Sequence, residues 1–391
     1  MQTEPATGTL ILPDYLIDIP GAPPKPRWGV RVIDDRIEAT AAWDVLTTAF
    51  PEDDQWRLPR QAISPGFVDA HTHLTAVIGH GNTTQPWSDI LLRLDKETVA
   101  AAIESGIYHS LSAGITGLGE CLQAPALLPG VLAWEASLLE QWGIRAALGY
   151  QASELHSYEQ GQAGLAENAD LLELCNEQRR FQRIRAYVVA EGTSDSSGEL
   201  REEAEALAWD AEARCLFHTG RPEQSIFWVG GRGRVYTPLI DLRDRTEAVE
   251  WLILSAQEEA VGLGSDGAIF DFFRVMRGAR RQSRYNHRPE PSPASLIWRL
   301  ATTGGAEVLG FEKVGKLLPG WQADLQAIDL TYPSPVTEDN LYAQMLRYGS
   351  SQSIQVVMVA GHILVMNGVV LGVDAAAMRE RAIAAAQKLS G

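Results

Sequence analysis

The stretch PGFVDAHTHL at 65–74 carries the strongest signal in the chain. It joins an apolar run to two histidines, His71 and His73, separated by one residue. In an extended chain residues i and i+2 point to the same face, so the two imidazoles converge on one point. Two more ligand types stand at the ends of later apolar runs: His218 in CLFHTG and Asp266 in GLGSDG. Working outward, the runs ISPGFVDAH (63–71), GITGLGE (114–120), IRAALGY (144–150), IRAYVVAE (184–191), RCLFHTG (214–220) and VGLGSDG (261–267) are separated by longer segments. Several of those segments, such as KETVAAAIESGIYHSLSA and SGELREEAEALAWDAEA, read as helices. Such alternation predicts βα units about a parallel sheet, whose active groups gather at the C-terminal strand ends. Three imidazoles and one carboxylate there form a donor set for one divalent metal, Zn or Fe.

The flanks read differently. Residues 1–62 are short strands with Pro-rich punctuation, and after residue 315 short strands return as QADLQAIDL, IQVVMVAGHILVMNG and VVLGVD. The last stretch, AAAMRERAIAAAQKL, is Ala-rich and reads as a helix. The expected fold is therefore α/β: a (β/α)8-type, TIM-like barrel over 63–315, with a small β-sandwich domain built from both termini, 1–62 and 316–391.

Composition bounds the partners. The chain has 391 residues, 45% hydrophobic and 21% charged, which is ordinary globular usage. Its net charge of −17 repels phosphate backbones, which argues against a nucleic-acid partner. Cys121, Cys175 and Cys215 lie far apart without a CxxC, so neither a disulfide framework nor a Cys-rich zinc site is expected. The start lacks a basic region followed by an apolar core, and no run approaches ~18 apolar residues. A cytoplasmic protein with a small-molecule substrate and no membrane partner is the expectation, and a homo-oligomer stays open.

With these residues in view, PGFVDAHTHL, GITGLGE, FHTG and GLGSDG resemble the amidohydrolase superfamily, specifically its cytosine deaminase/chlorohydrolase-like (ATZ/TRZ) branch. The tail LATTGGAEVLGFEKVGKLLPGWQADL is similar to that branch's A-T-x-x-x-A-x-x-L-G and G-x-L-x-x-G-x-x-A-D-L segments, and GHILVMNGVV to its closing hairpin. The resemblance implies a metal-bearing barrel that hydrolyses C–N bonds, sometimes C–Cl bonds. By position it makes His71, His73, His218 and Asp266 the metal ligands, with Asp266 also accepting a proton from the attacking water. Binuclear members often bridge their metals with a carboxylated Lys on strand four. This chain has no Lys between 97 and 312, which leaves the mononuclear subtype.

The chain departs from the pattern in three places, as a divergent member would. The family's Glu three residues after the strand-five His is Arg221 here, with Glu223 the nearest acid. The family's strand-six His is missing, because no His stands between 219 and 286. His218 and Asp266 are only 48 residues apart, where three βα repeats of ~30 residues each would need about 90. Either strands six and seven join without full helices, one helix falling at about 244–260, or the barrel is incomplete there. A deaminase must protonate its leaving nitrogen, so another acid is required. Glu191, ending IRAYVVAE, is the first choice and Glu120, ending GITGLGE, the second. His156 and Trp87 are candidates for lining the substrate pocket. His80 and His287 read as loop residues, and His109 and His362 as structural. The function so read is a metal-dependent aminohydrolase, or deaminase, acting on a small nitrogen-containing compound. The alternative is a catalytically weakened or inactive homologue with a binding or structural role.

Overall fold

A computed structural model describes residues 7–79, 87–155, 157–191, 198–218, 226–229, 233–238, 259–267, 269–283 and 293–390. Two sheets organise them. The first takes strands from both ends of the chain: β1 (Thr9–Leu16), β2 (Lys25–Pro26), β3 (Trp28–Ile33), β4 (Arg36–Ala42) and β5 (Asp54–Pro65) from the N-terminal side. The second contains β6 (Phe67–Thr72), β7 (Ile115–Leu122), β8 (Arg145–Ala152), β9 (Ile184–Ala186), β10 (Val188–Glu191), β11 (Cys215–His218), β12 (Ile226–Val229), β13 (Gly233–Tyr236) and β14 (Ala260–Leu263). The C-terminal strands β15 (Leu325–Asp329), β16 (Ile354–Val359), β17 (His362–Met366) and β18 (Val369–Val370) return to the first sheet.

That first sheet runs β18-β17-β16-β15-β5-β1-β3-β4, so β5 lies between a strand from each terminus. It pairs parallel with β1 and antiparallel with β15. One residue, Gly66, separates β5 from the first barrel strand β6. A Cβ at Gly66 would sit 2.1 Å from the Thr116 side chain, so only glycine lets the chain cross there. Beneath the crossing, Phe67 packs on Phe272, Phe273 and Trp298 with centroids 5.5, 5.3 and 5.2 Å away. The Trp298 indole N–H donates to Ser64 Oγ at 2.9 Å, which ties β5 to the helix Ala294–Arg299.

The second sheet runs β6-β7-β8-β10-β11-β12-β13-β14, with β9 also on β8. Its pairings are parallel except at β12, which is antiparallel to both β11 and β13. This answers the short spacing between His218 and Asp266. A hairpin of β12 and β13, with three residues between them, stands where a helical connection would otherwise be needed. The sixth strand is present but reversed. The helix expected at about 244–260 lies outside the described residues as far as 258, and Ala260 already belongs to β14. The sheet curls until β14 meets β6: a Cβ at Gly262 would lie 2.8 Å from that of Ala70, and Asp266 N donates to His71 O at 2.9 Å. Val68, Cys121, Ala147, Val189, Leu216 and Val235 fill the interior of the curl.

The helices expected from sequence appear as Lys96–Ser112, Glu199–Asp210 and Ala375–Ser390. Asp95 caps the first, its side chain accepting from Thr98 N at 2.7 Å. No helix among the described residues is long and apolar enough to cross a membrane. The two sheets are locked at the base by a buried ion pair. Arg145 Nε and Nη2 donate to the two oxygens of Asp324 at 2.7 and 3.1 Å, and Ala360 N donates to the same carboxylate at 2.7 Å. Asp324→Ala would leave the Arg145 guanidinium buried without its counter-charge, a loss of about 3–5 kcal/mol. A urea titration of the variant should give a correspondingly lower midpoint, whereas an unchanged midpoint would mean that the sheets are joined by other contacts.

Candidate metal centre

Strict alternation along β6 would not bring both histidines inward. Val68 and Ala70 face the interior, so His71 and His73 should face out. A register shift between Asp69 and Thr72 corrects this: Asp69 pairs with Leu118, but Thr72 pairs with Glu120. The extra residue is a bulge, and it turns the HxH pair into the barrel. Gly119 makes room beside it, since a Cβ there would come 2.4 Å from Ala70 O.

His71, His73, His218 and Asp266 each offer one ligand atom, and all these atoms lie within 4.8 Å of one another. Asp266 Oδ1 is the hub, at 2.9, 3.5 and 3.9 Å from the Nε2 atoms of His71, His73 and His218. Asp266 occupies the left-handed region at φ 54°, a conformation that Asp tolerates better than most residues. Hydrogen bonds hold it there. Besides the bond from Asp266 N to His71 O, Ser265 N donates to Asp69 Oδ1 at 2.9 Å and Gly267 N to Ser265 Oγ at 3.2 Å.

Burial pushes the imidazoles of His71 and His73 below their usual range, His73 to about 3, so they stand neutral. Burial alone would raise Asp266, but the His218 and His71 imidazoles beside it hold its carboxyl below the usual carboxylate range. His73 Nδ1 lies 2.7 Å from Cys121 O, and since a carbonyl only accepts, that nitrogen carries the proton. Its Nε2 therefore turns a lone pair toward an ionised carboxylate oxygen. Acceptors so placed are reconciled by a cation among them, which makes the donor set fit a divalent metal.

The remaining candidates divide. Glu191 ends β10 in direct register with His218 on β11 and accepts a hydrogen bond from Ser153 Oγ. It shares the interior face with Val189, two residues back. Glu120 does not share it. Its neighbour Cys121 points inward, while the Glu120 carboxylate, fully buried, accepts from Leu74 N with both oxygens at 3.1 and 2.9 Å. There it anchors the turn that follows the HxH. Trp87 opens the helix Trp87–Leu91, and His156, Arg221, Glu223, His80 and His287 lie outside the described residues. His109 stacks on Phe270 with centroids 5.8 Å apart, and His362 opens β17.

Sequence reading missed four residues around the cluster. Asp69 is pushed up to about 7 by burial, against the bonds it accepts from Ser265 and His71. Its place inside the PGFVDAH motif was the available signal. Gln151, only 5% exposed at the end of β8, has an amide oxygen with no hydrogen-bond partner among the described residues. Cys121 and Tyr187 meet beneath His71, and nothing in the linear pattern marks them.

The profile of the Amidohydrolase family matches residues 62–221 and 239–364, and the chain belongs to that family. It is 34% identical over 134 residues to a 5-methylthioadenosine/S-adenosylhomocysteine deaminase of Pelotomaculum thermopropionicum, covering 33% of this chain and 30% of that one. A protein of the same name from Nitratidesulfovibrio vulgaris is 23% identical over 395 aligned residues, 87% of this chain and 88% of the relative. The match to the first of these thus spans about a third of its length. Among solved structures, a zinc-bound adenosine deaminase of Xanthomonas campestris superposes with a TM-score of 0.82 at 19% identity, covering 98% of each chain. A zinc complex of the atrazine chlorohydrolase TrzN of Arthrobacter aurescens gives 0.74 at 17% identity, covering 98% of this chain and all of that one. These likenesses establish an amidohydrolase TIM-barrel fold.

Next to Glu120 lies Glu135, fully buried, both of whose oxygens have no hydrogen-bond partner among the described residues. Burial pushes Glu135 from its ordinary 4.5 up to about 8, and burial with the neighbouring Glu135 raises Glu120 as well. The folded protein therefore holds protons that the unfolded chain releases near 4.5, and stability falls as pH rises from there toward 8. Glu135→Gln should flatten this dependence and raise the melting temperature near pH 8. Melting curves across that range in which variant and wild type keep the same slope would refute the assignment.

Proposed function

We propose that the chain is a metal-dependent aminohydrolase acting on a C–N bond of a small nitrogen-containing compound. The observation that carries this reading is the convergence of His71, His73, His218 and Asp266 within 4.8 Å at the strand ends. That complete donor set favours an enzyme over a weakened homologue. Relatives named as deaminases support the choice of C–N chemistry, and zinc-bound structural neighbours support a divalent metal, zinc or iron. When bound, such a cation lowers the pKa of a water toward neutrality and polarises the attacked carbon.

The chain's own residues supply the proton transfers. Asp266, ionised and at the hub of the imidazoles, accepts a proton from the attacking water. Glu191, beside His218 and oriented by Ser153, delivers a proton to the departing nitrogen. His156 and Trp87 are assigned to the substrate pocket. The joint sheet of the two termini supports a division into a β-sandwich domain, 1–62 with 316–391, and a barrel domain, 63–315. The acidic balance of −17 supports a small-molecule substrate over nucleic acid, and we place the protein in the cytoplasm.

Elemental analysis of purified protein should find on the order of one zinc or iron per chain, lost in His73→Ala and His218→Ala. Metal-free wild type after growth in metal-supplemented medium would overturn the reading. Ammonia release from adenosine, 5-methylthioadenosine and S-adenosylhomocysteine is the first activity screen. On any compound turned over, Glu191→Gln should retain metal and fold while kcat drops by roughly 10²–10⁴. An unchanged rate would remove Glu191 from the mechanism.

A further inference from the structure

We propose that Cys121 and Tyr187 form a positioning pair that fixes the proton of His71 on Nδ1 and so aims its Nε2 lone pair at the metal. This rests on the metal-centre reading above and adds residues that no family motif supplied. Cys121 is fully buried in the barrel interior, and Tyr187 is 2% exposed. The thiol sulfur lies 3.3 Å from His71 Nδ1 and 2.8 Å from the Tyr187 hydroxyl. The same hydroxyl donates to Glu120 O at 3.0 Å.

Counting protons along this chain assigns every donor. Glu120 O is a carbonyl and can only accept, so the Tyr187 proton points to it. The hydroxyl oxygen then accepts from the Cys121 S–H, which uses the thiol's one proton. Toward His71 the sulfur can therefore only accept, and Nδ1 must be the donor. The chain runs His71 Nδ1–H to sulfur, S–H to the Tyr187 oxygen, and O–H to Glu120 O. With the proton on Nδ1, Nε2 is left as a lone pair facing Asp266.

Cys121 acts on both members of the HxH pair. Its carbonyl accepts from His73 Nδ1 at 2.7 Å, and its sulfur accepts from His71. The two supports differ in strength. A carbonyl is a good acceptor and raises the basicity of the ligand it holds, whereas a thiol is a weak one. His71 is thereby the less electron-rich donor of the two. That leaves more positive charge on a bound cation than carbonyl support of both histidines would. Glu120 extends the same device, since its carboxylate grips Leu74 N, the residue after His73. Two consecutive residues of β7 thus orient both imidazoles and the turn behind them.

The test is competition of the metal-stripped full-length protein with a chromophoric chelator for Zn²⁺, combined with nitrogen NMR of labelled histidine side chains. Wild type should show an Nδ1-protonated His71. Cys121→Ala should lose that signature and weaken zinc binding by about 10–100-fold, the usual effect of removing a group that orients a metal ligand. Cys121→Ser keeps a donor and an acceptor in place and should restore both the signature and most of the affinity. Tyr187→Phe keeps the ring and its packing but frees the thiol proton to turn on His71, so it should shift the tautomer and weaken zinc. It carries the test even where Cys121→Ala fails to fold. Wild-type affinity and an unchanged imidazole in Tyr187→Phe would overturn the proposal, as would a Cys121→Ser protein that folds and binds as weakly as Cys121→Ala. A wild type that binds no Zn²⁺ would instead sink the metal-centre reading itself.

Discussion

The backbone bond from Asp266 N to His71 O, 2.9 Å long, joins the last barrel strand to the first, and the site depends on it. It forms only because two local irregularities coincide. The bulge in β6 turns His71 and His73 inward, and the left-handed conformation at Asp266 swings its carboxylate back over them. An L-residue in that conformation is strained by roughly 1–2 kcal/mol. The strain is offset by the bonds among Asp69, Ser265 and Gly267 that bind the turn to β6. Close approach of the strands is a further condition. A Cβ at Gly264 would lie 3.0 Å from the His71 Cβ, so a larger residue there would push the two strands apart.

Charge follows from burial. The chain carries 50 acidic residues, yet Asp69, Glu120 and Glu135 are buried and pushed up toward their neutral forms. Asp266 is buried too, but imidazoles surround it and keep it ionised. Of these four acids Asp266 is thus the one held ionised, with neutral imidazoles about it. A cation entering that cluster gains the Asp266 carboxylate as a charge partner. Glu120, raised by burial and by the neighbouring Glu135, turns its carboxyl to Leu74 N, away from the barrel interior.

The motif residues were legible in sequence because their chemistry repeats at strand ends. HTH, FHTG and GLGSDG named all four members of the cluster, and the alternating runs named the α/β architecture. What failed to show was whatever depends on partners distant along the chain. Glu120 read as a mouth-facing acid because position at a strand end says nothing about which face the side chain takes. Along β7 it is Cys121 that faces inward, which leaves Glu120 on the other face, and the slip that turns His71 and His73 inward is a property of the β6–β7 pair, not of either segment. The Cys121 contacts with His71 and Tyr187 span 50 and 66 residues, and sequence spacing carries no trace of them. The short interval before Asp266 signalled that something replaced the usual units, but an antiparallel β12 could not be told from an incomplete barrel.

That reversal bears on the chemistry. In a parallel strand the C-terminal residues reach the mouth, and the family resemblance expects a histidine there on strand six. In β12 the direction is inverted: Phe217 pairs with Trp228 and Leu216 with Val229, so the strand presents its N-terminal end, Ile226, toward the mouth. Its C-terminal residues face the barrel floor, where no ligand or proton donor is needed. Loss of the strand-six histidine and reversal of the strand are thus consistent with each other, for a strand so turned has no C-terminal end to offer at the mouth. In the function proposed above, proton transfer falls to a neighbour whose direction is intact. Among the described strands beside His218, β10 meets that condition, and adjacent strands lie ~4.8 Å apart. Its last residue, Glu191, stands in register with His218 and accepts from Ser153 Oγ, which is the geometry behind its proposed role on the opposite side of the same histidine.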